Sequence, residues 1–245
     1  MLFRVALLQQ LMVFLILSYQ ETLLYNIKEN IDKIKSIIKD THKNSNFEKY
    51  PLPNLVAVSK KQNEEKVIEA LEAGQKYFGE NRVQEAQQRW ALKIQQYKDL
   101  EIRLIGPLQT NKLKQALNIF DVIETIDREK LADEIANKFN ENVKTKSFYI
   151  QINTGSEIQK SGIEPLHSDN FIKYCKEELR LPIVGLMCIP PLNEEPAMHF
   201  ALLKKIADRN NLKELSMGMS NDYKEAIKFG ATSVRVGSAI FGNRE

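Results

Sequence analysis

Eight short segments, each apolar nearly throughout, recur along the chain: Leu55–Ser59, Tyr77–Phe78, Ile102–Ile105, Val122–Ile126, Phe148–Ile152, Ile183–Ile189, Leu215–Met217 and Val234–Val236. A strand with apolar side chains on both faces has no side to offer water, so it belongs in a parallel sheet covered by helices. Amphipathic stretches fill the intervals. Leu24, Ile27, Ile31, Ile34 and Ile37 or Ile38 make one helical stripe, and a helix predicted from Glu64 to Ala73 is closed by Gly74. Eight strand–helix units in 245 residues fit a single-domain, closed (β/α)8 barrel. A doubly wound sheet is the runner-up, but it wants a glycine fingerprint after the first strand, and Lys60-Lys61-Gln62-Asn63 contains no glycine.

The barrel is expected to occupy residues 25–245, with residues 1–24 an apolar N-terminal extension outside the fold. Its uninterrupted run Leu11–Leu17 is too short for a membrane span. An upstream start and an anchoring amphipathic helix are ranked equally, with membrane contact by residues 1–24 set below a fully soluble protein. A secretory signal ranks lowest, because Ser18-Tyr19-Gln20-Glu21 is a poor cleavage site.

Lysine and arginine number 35 against 32 acidic residues, and a net charge of +3 does not call for a nucleic-acid partner. Cys175 and Cys188, with the scattered His42, His167 and His199, offer neither a disulfide framework nor metal-ligand spacing, so no metal is expected. The thiols read as those of a reduced, cytoplasmic protein.

The chemistry-bearing residues gather where barrels carry function, at the carboxyl ends of the strands. Lys60 stands at the exit of the first strand, although alternation alone cannot choose it over Lys61. The turns after the seventh and eighth strands carry Ser216, Gly218 and Ser220, then Gly237 and Ser238. Small residues there let backbone N–H groups approach an anion, hydroxyls add donors, and a short helix opening at Ser238 would favour a phosphate. Barrel closure sets the eighth strand beside the first. A lysine and a phosphate grip facing one pocket are the minimum equipment for holding pyridoxal phosphate as a Schiff base. A nearby cation such as Arg235 would help to keep that amine reactive.

In order along the chain, Ala57-Val58-Ser59-Lys60, Phe78-Gly79-Glu80-Asn81, Ile105-Gly106-Pro107-Leu108-Gln109-Thr110-Asn111-Lys112, Lys160-Ser161-Gly162-Ile163, Gly185-Leu186-Met187, Leu215-Ser216-Met217-Gly218-Met219-Ser220 and Val234-Arg235-Val236-Gly237-Ser238-Ala239-Ile240-Phe241-Gly242 resemble the motifs of the pyridoxal phosphate homeostasis protein family. These are single-barrel relatives of the N-terminal domain of alanine racemase, and the resemblance runs from Tyr25 to the end of the chain. It implies a barrel of the alanine racemase N-terminal type in which Lys60 carries the cofactor. It also implies that Arg235 faces the pyridine nitrogen, that Ser216, Gly218, Ser220, Gly237 and Ser238 surround the phosphate, and that Asn81 makes a contact near the ring. One departure stands out. Where the family often has an aromatic residue and a histidine before the Ile-Gly pair, this chain has Ile102, Arg103 and Leu104, which puts any polar contact from that position in doubt.

An arginine opposite the pyridine nitrogen discourages its protonation and weakens the ring as an electron sink. Transamination is then disfavoured. Racemisation needs a second proton donor, which alanine racemase draws from another domain and its partner subunit, whereas this chain ends at Glu245 directly after the barrel. The resemblance therefore implies a carrier that buffers pyridoxal phosphate or delivers it to apo-enzymes, without robust catalytic turnover, and the shortness of the chain after the barrel leads to the expectation of a monomer. A low-activity amino-acid racemase and an aldolase-type Schiff-base lyase are the alternatives.

Overall fold

The structure, a computed structural model, describes residues 26–242; the extension expected at residues 1–24 and the start of the first stripe at Leu24 lie outside the described residues. Helix α1 (Ile27–Lys43) begins at Asn26, whose side chain accepts from the Glu29 amide at 3.1 Å and so satisfies one unpaired N–H of the first turn. Its buried stripe is Ile27, Ile31, Ile34 and Ile38, which resolves the alternative between Ile37 and Ile38. Then follow β1 (Asn54–Val58), α2 (Glu64–Glu72), β2 (Tyr77–Glu80), α3 (Val83–Trp90), α4 (Lys93–Gln96) and β3 (Glu101–Leu104). A tight turn at Thr110–Lys112 leads into α5 (Leu113–Ile119), β4 (Val122–Ile126), α6 (Glu129–Lys138) and β5 (Ser147–Ile152). The last part comprises α7 (Ser168–Lys173), β6 (Ile183–Cys188), α8 (Pro196–Arg209), β7 (Glu214–Ser216), α9 (Tyr223–Lys228), β8 (Ser233–Val236) and α10 (Ser238–Phe241).

Neighbouring strands pair in chain order, and β8 returns to β1 in parallel register from Asn54↔Ser233 to Ala57↔Val236. The sheet is a closed barrel, so the open, doubly wound alternative falls. All eight predicted strands are present, with no end moved by more than two residues. Ladder pairing sets those ends, and it stops before the apolar run does at Ser59, Ile105, Ile189 and Met217.

The period of two then sorts each strand into two faces. Leu55, Ala57, Phe78, Ile102, Leu104, Phe148, Ile150 and Val236 point outward into the core shared with the helices. Val122, Tyr149 and Met187 form a separate apolar cluster inside the barrel. Helix α1 packs on α2, α9 and α10 and so covers the β8–β1 seam, the place where the first and last strand exits meet. Among the described residues no helix is long and apolar enough to cross a membrane.

Candidate functional site

Alternation along β1 carries past its last paired residue. Val58 and Lys60 both line a cavity of about 470 Å³ at the carboxyl mouth of the barrel, whereas Lys61 is exposed in a left-handed conformation with φ of 57°. The backbone kink at Lys61 turns that side chain to solvent, which settles the geometric choice that sequence left open.

The segment bearing Lys60 is fastened from behind. Ser59 faces outward and its hydroxyl donates to Glu80 at 2.7 Å, from the end of β1 to the end of β2. Glu80 is wholly buried and also accepts from Arg89 at 2.7 Å and from the Trp90 indole at 3.1 Å. Arg89 donates further to the Ser59 carbonyl at 2.7 Å and the Gln62 carbonyl at 2.6 Å, so one guanidinium on α3 grips the chain on both sides of Lys60. Neither Glu80 nor Arg89 was singled out from sequence. The available signal was a carboxylate ending an apolar strand, which needs a buried cation to pair with.

On the β8 side of β1, the cavity wall is made by the turns after β7 and β8. Asn81, Ser220, Arg235, Gly237 and Ser238 line it together with Lys60, so six of the eight residues expected from sequence converge on one space. Helix α10 does open at Ser238. The Gly237 amide points toward the Ser220 hydroxyl at 3.4 Å, and Asp222 holds the intervening loop by accepting from the Met219 amide at 2.5 Å. The Asn81 side-chain oxygen is buried with no hydrogen-bond partner among the described residues.

Ser216 and Gly218 sit elsewhere. Gly218 is needed by the turn itself: its φ is +89°, and a Cβ there would lie 2.6 Å from the Ala226 Cβ and 2.9 Å from the Tyr223 Cα. Its carbonyl accepts from the Arg235 amide at 2.9 Å. Ser216, on β7, is fully buried beneath the cavity, where its hydroxyl donates to Glu124 at 2.6 Å and accepts from Arg235 at 2.7 Å. Neither Ser216 nor Gly218 is among the residues that line the cavity.

Arg235 is about 4% exposed, and its second terminal nitrogen donates to the Cys188 carbonyl at 2.8 Å. Below it the barrel axis is polar. Glu124, wholly buried on β4, accepts from Arg103 at 3.1 Å, and Arg103 reaches Glu101 at 2.6 Å and lies 5.7 Å over the Tyr77 ring. Burial opposes the charge on Arg103, but Glu124, Tyr149 and Glu101 outweigh it and hold the guanidinium above its ordinary range. Burial likewise pushes the Tyr149 hydroxyl up. The position that departs from the family motif thus does make polar contacts, directed down the barrel rather than into the cavity. Glu124 escaped notice in the sequence, although a carboxylate at the centre of Val122-Ile123-Glu124-Thr125-Ile126 is the kind of buried charge that demands partners.

A family model described as the alanine racemase N-terminal domain matches residues 24–245. The chain is 36% identical over 233 residues to the pyridoxal phosphate homeostasis protein of Haemophilus influenzae, covering 89% of this chain and 96% of that one. Among solved structures it is similar to PipY of Synechococcus elongatus without pyridoxal phosphate, with 31% identity, 88% of this chain and 100% of that chain covered, and a TM-score of 0.77. PipY with pyridoxal phosphate bound matches at the same identity and coverage with a TM-score of 0.73.

Proposed function

The chain belongs to the alanine racemase N-terminal-domain family and, within it, to the pyridoxal phosphate homeostasis proteins; on that premise we propose that it holds pyridoxal phosphate reversibly as a Schiff base on Lys60 and buffers or delivers it. Its cofactor is pyridoxal phosphate and its role is the homeostasis of that cofactor. The recipients on this reading are cytoplasmic apo-enzymes, approached by a monomer.

The observation that carries the assignment of residues is the convergence of Lys60, Asn81, Ser220, Arg235, Gly237 and Ser238 on one cavity. The donor set suits a phosphorylated aldehyde. Gly237 has an ordinary φ of −117°, and a Cβ on it would meet Val58 no closer than 3.4 Å, so the protein's own packing does not require glycine there. Leaving out a side chain keeps the cavity open for a ligand that backbone N–H groups can reach. The unpartnered Asn81 oxygen offers a further polar contact near the ring.

When bound, the cofactor supplies an aldehyde carbon that an amine captures reversibly. Lys60 provides the amine, and the Arg89 grip on Ser59 and Gln62 holds its backbone in place. Ser220, Gly237 and Ser238, which line the cavity, would donate to the phosphate. Arg235, already committed to Ser216 and Cys188, presents a permanent cation to the pyridine nitrogen and disfavours its protonation. Among the described residues the ionisable groups on the cavity wall are Lys60, Glu194, Asp222 and Arg235. Asp222 is engaged with the Met219 amide, and Glu194 lies 3.2 Å from His199.

The test is the visible spectrum of the protein reconstituted with pyridoxal phosphate, followed by borohydride reduction and peptide mapping. Wild type and Lys61→Ala are expected to show an imine band and a pyridoxyl group fixed on Lys60 after reduction. Lys60→Ala is expected to lose both. A band that survives in Lys60→Ala, or a pyridoxyl group mapped to another lysine, overturns the assignment.

A further inference from the structure

Barrel interiors are ordinarily filled by layers of branched apolar side chains, which cost nothing to desolvate. This one instead encloses a run of polar groups along its axis: Glu101, Arg103, Glu124, Ser216 and Arg235, each bonded to the next, and ending at the Cys188 carbonyl. Glu124 and Ser216 have no exposed surface, and Arg103 and Arg235 have 5% and 4%. Replacing such a network with packed apolar residues is often neutral or stabilising, so stability alone is a weak reason for its presence.

The direction of each bond supplies a better one. Glu124 Oε1 accepts a hydrogen bond from Arg103 at 3.1 Å, and Oε2 accepts one from the Ser216 hydroxyl at 2.6 Å. With its proton committed to a carboxylate, the Ser216 oxygen turns its lone pairs to Arg235, from which it accepts at 2.7 Å. No carboxylate is paired directly with Arg235 among the described residues; its guanidinium is held by a hydroxyl and a backbone carbonyl. Arg235 is thereby fixed in place, with no carboxylate bonded to it among the described residues, at the wall of the cavity it lines. Arg103 gives Glu124 the buried cation that a buried carboxylate requires.

We propose that Glu124 and Ser216 are positioning residues for Arg235, setting the orientation and field that its guanidinium presents to the ring of a bound cofactor, with Arg103 as the counter-ion that sustains Glu124. This rests on the reading of Arg235 as the group that faces the pyridine nitrogen. It assigns to Ser216 a part in ring recognition instead of phosphate binding, and gives Arg103 a use at the position where the chain leaves its family's pattern.

The experiment compares wild type with Ser216→Ala and Glu124→Gln by spectrophotometric titration with pyridoxal phosphate, recording the position of the imine band and Kd. Thermal melting of the cofactor-free proteins accompanies each titration. Ser216→Ala leaves the Arg103–Glu124 pair intact and removes only its link to Arg235. It is expected to shift the band and to raise Kd about tenfold, the weight of one hydrogen bond to a charged group. Glu124→Gln is expected to shift the band in the same direction while also lowering the melting temperature. Ser216→Thr and Ser216→Val, nearly equal in volume and differing in the hydroxyl, carry the same comparison should the alanine variant fail to fold; threonine is expected to keep the wild-type band and valine to lose it. A band and Kd unchanged in folded Ser216→Ala, or equal in the threonine and valine variants, overturn the proposal. Absence of an imine in wild type would instead overturn the reading on which it rests.

Discussion

Replacing Arg89 with methionine keeps most of the side chain's apolar length and removes the grip behind Lys60. Arg89 is 13% exposed and its partner Glu80 not at all, so the substitution strands a carboxylate with no water to receive it. Glu80 would keep the Ser59 hydroxyl at 2.7 Å and the Trp90 indole at 3.1 Å, while the Ser59 and Gln62 carbonyls would lose donors at 2.7 and 2.6 Å. Breaking a buried ion pair by removing one partner costs about 3–5 kcal/mol. At roughly 2–4 °C per kcal/mol for a chain of this size, the melting temperature should fall by about 6–20 °C. The double variant Arg89→Met with Glu80→Gln buries no charge and is expected to recover a large part of that loss, on the order of 2 kcal/mol. Urea unfolding followed by circular dichroism measures the global term. Fluorescence of Trp90, the single tryptophan, reports the same locus because its indole bonds to Glu80. A single variant less than about 1 kcal/mol below wild type, or a double variant less stable than the single, would refute the claim that charge burial at Glu80 governs this end of the barrel.

The two glycines of the cavity region should behave oppositely. Gly218→Ala forces a Cβ to 2.6 Å from Ala226 at positive φ and should cost about 2–4 kcal/mol of stability, whereas Gly237→Ala should melt within a few degrees of wild type yet bind pyridoxal phosphate more weakly; similar effects of both on stability would remove the distinction. Burial pushes the Cys175 and Cys188 thiols from 9.0 up to about 12, so neither should react with iodoacetamide at pH 8 until the protein is unfolded. The same thiols set an alkaline limit: the unfolded chain loses their protons from about pH 9 while the folded chain retains them to about 12, and Tyr149 is held above its ordinary 10.0 in the same sense. Stability is then fully present below pH 9 and falls as pH rises toward 12. A urea midpoint that is flat from pH 8 to 10.5, or a slope unchanged by Cys188→Ala, would contradict this.

Much of the barrel was legible because apolar strands and amphipathic stripes are local patterns. Leu55, Ala57 and Val236 betray buried strands by their own chemistry, and Gly74 marks a helix end by its own, whereas the N-cap at Asn26 was shown only by the structure. Strand termini were less legible: Ile105 and Ile189 are apolar because they line the cavity, and composition cannot tell a residue in the ladder from one just beyond it. The cavity was legible to the extent that Lys60, Asn81, Ser220, Arg235, Gly237 and Ser238 lie at or just beyond the carboxyl ends of strands. The direction of the Ser216 hydroxyl was not legible, because a serine before a glycine-containing turn looks the same whether its hydroxyl points up to an anion or down to a carboxylate on a strand 92 positions earlier.

Periodicity and residue type, which act over a few neighbouring residues, were enough to specify eight buried strands, their covering helices, and a lysine and a serine–glycine turn at the carboxyl ends. Cross-barrel pairing belongs to another scale. Lys60 was separated from Lys61 by a backbone kink, Gly218 from Gly237 by what a Cβ would strike, and Arg103, Glu124, Ser216 and Arg235 were joined into one run by closure of β8 onto β1. A buried charge has to find its counter-charge wherever the fold brings one within hydrogen-bond distance, and that distance is a property of the closed barrel rather than of spacing along the chain.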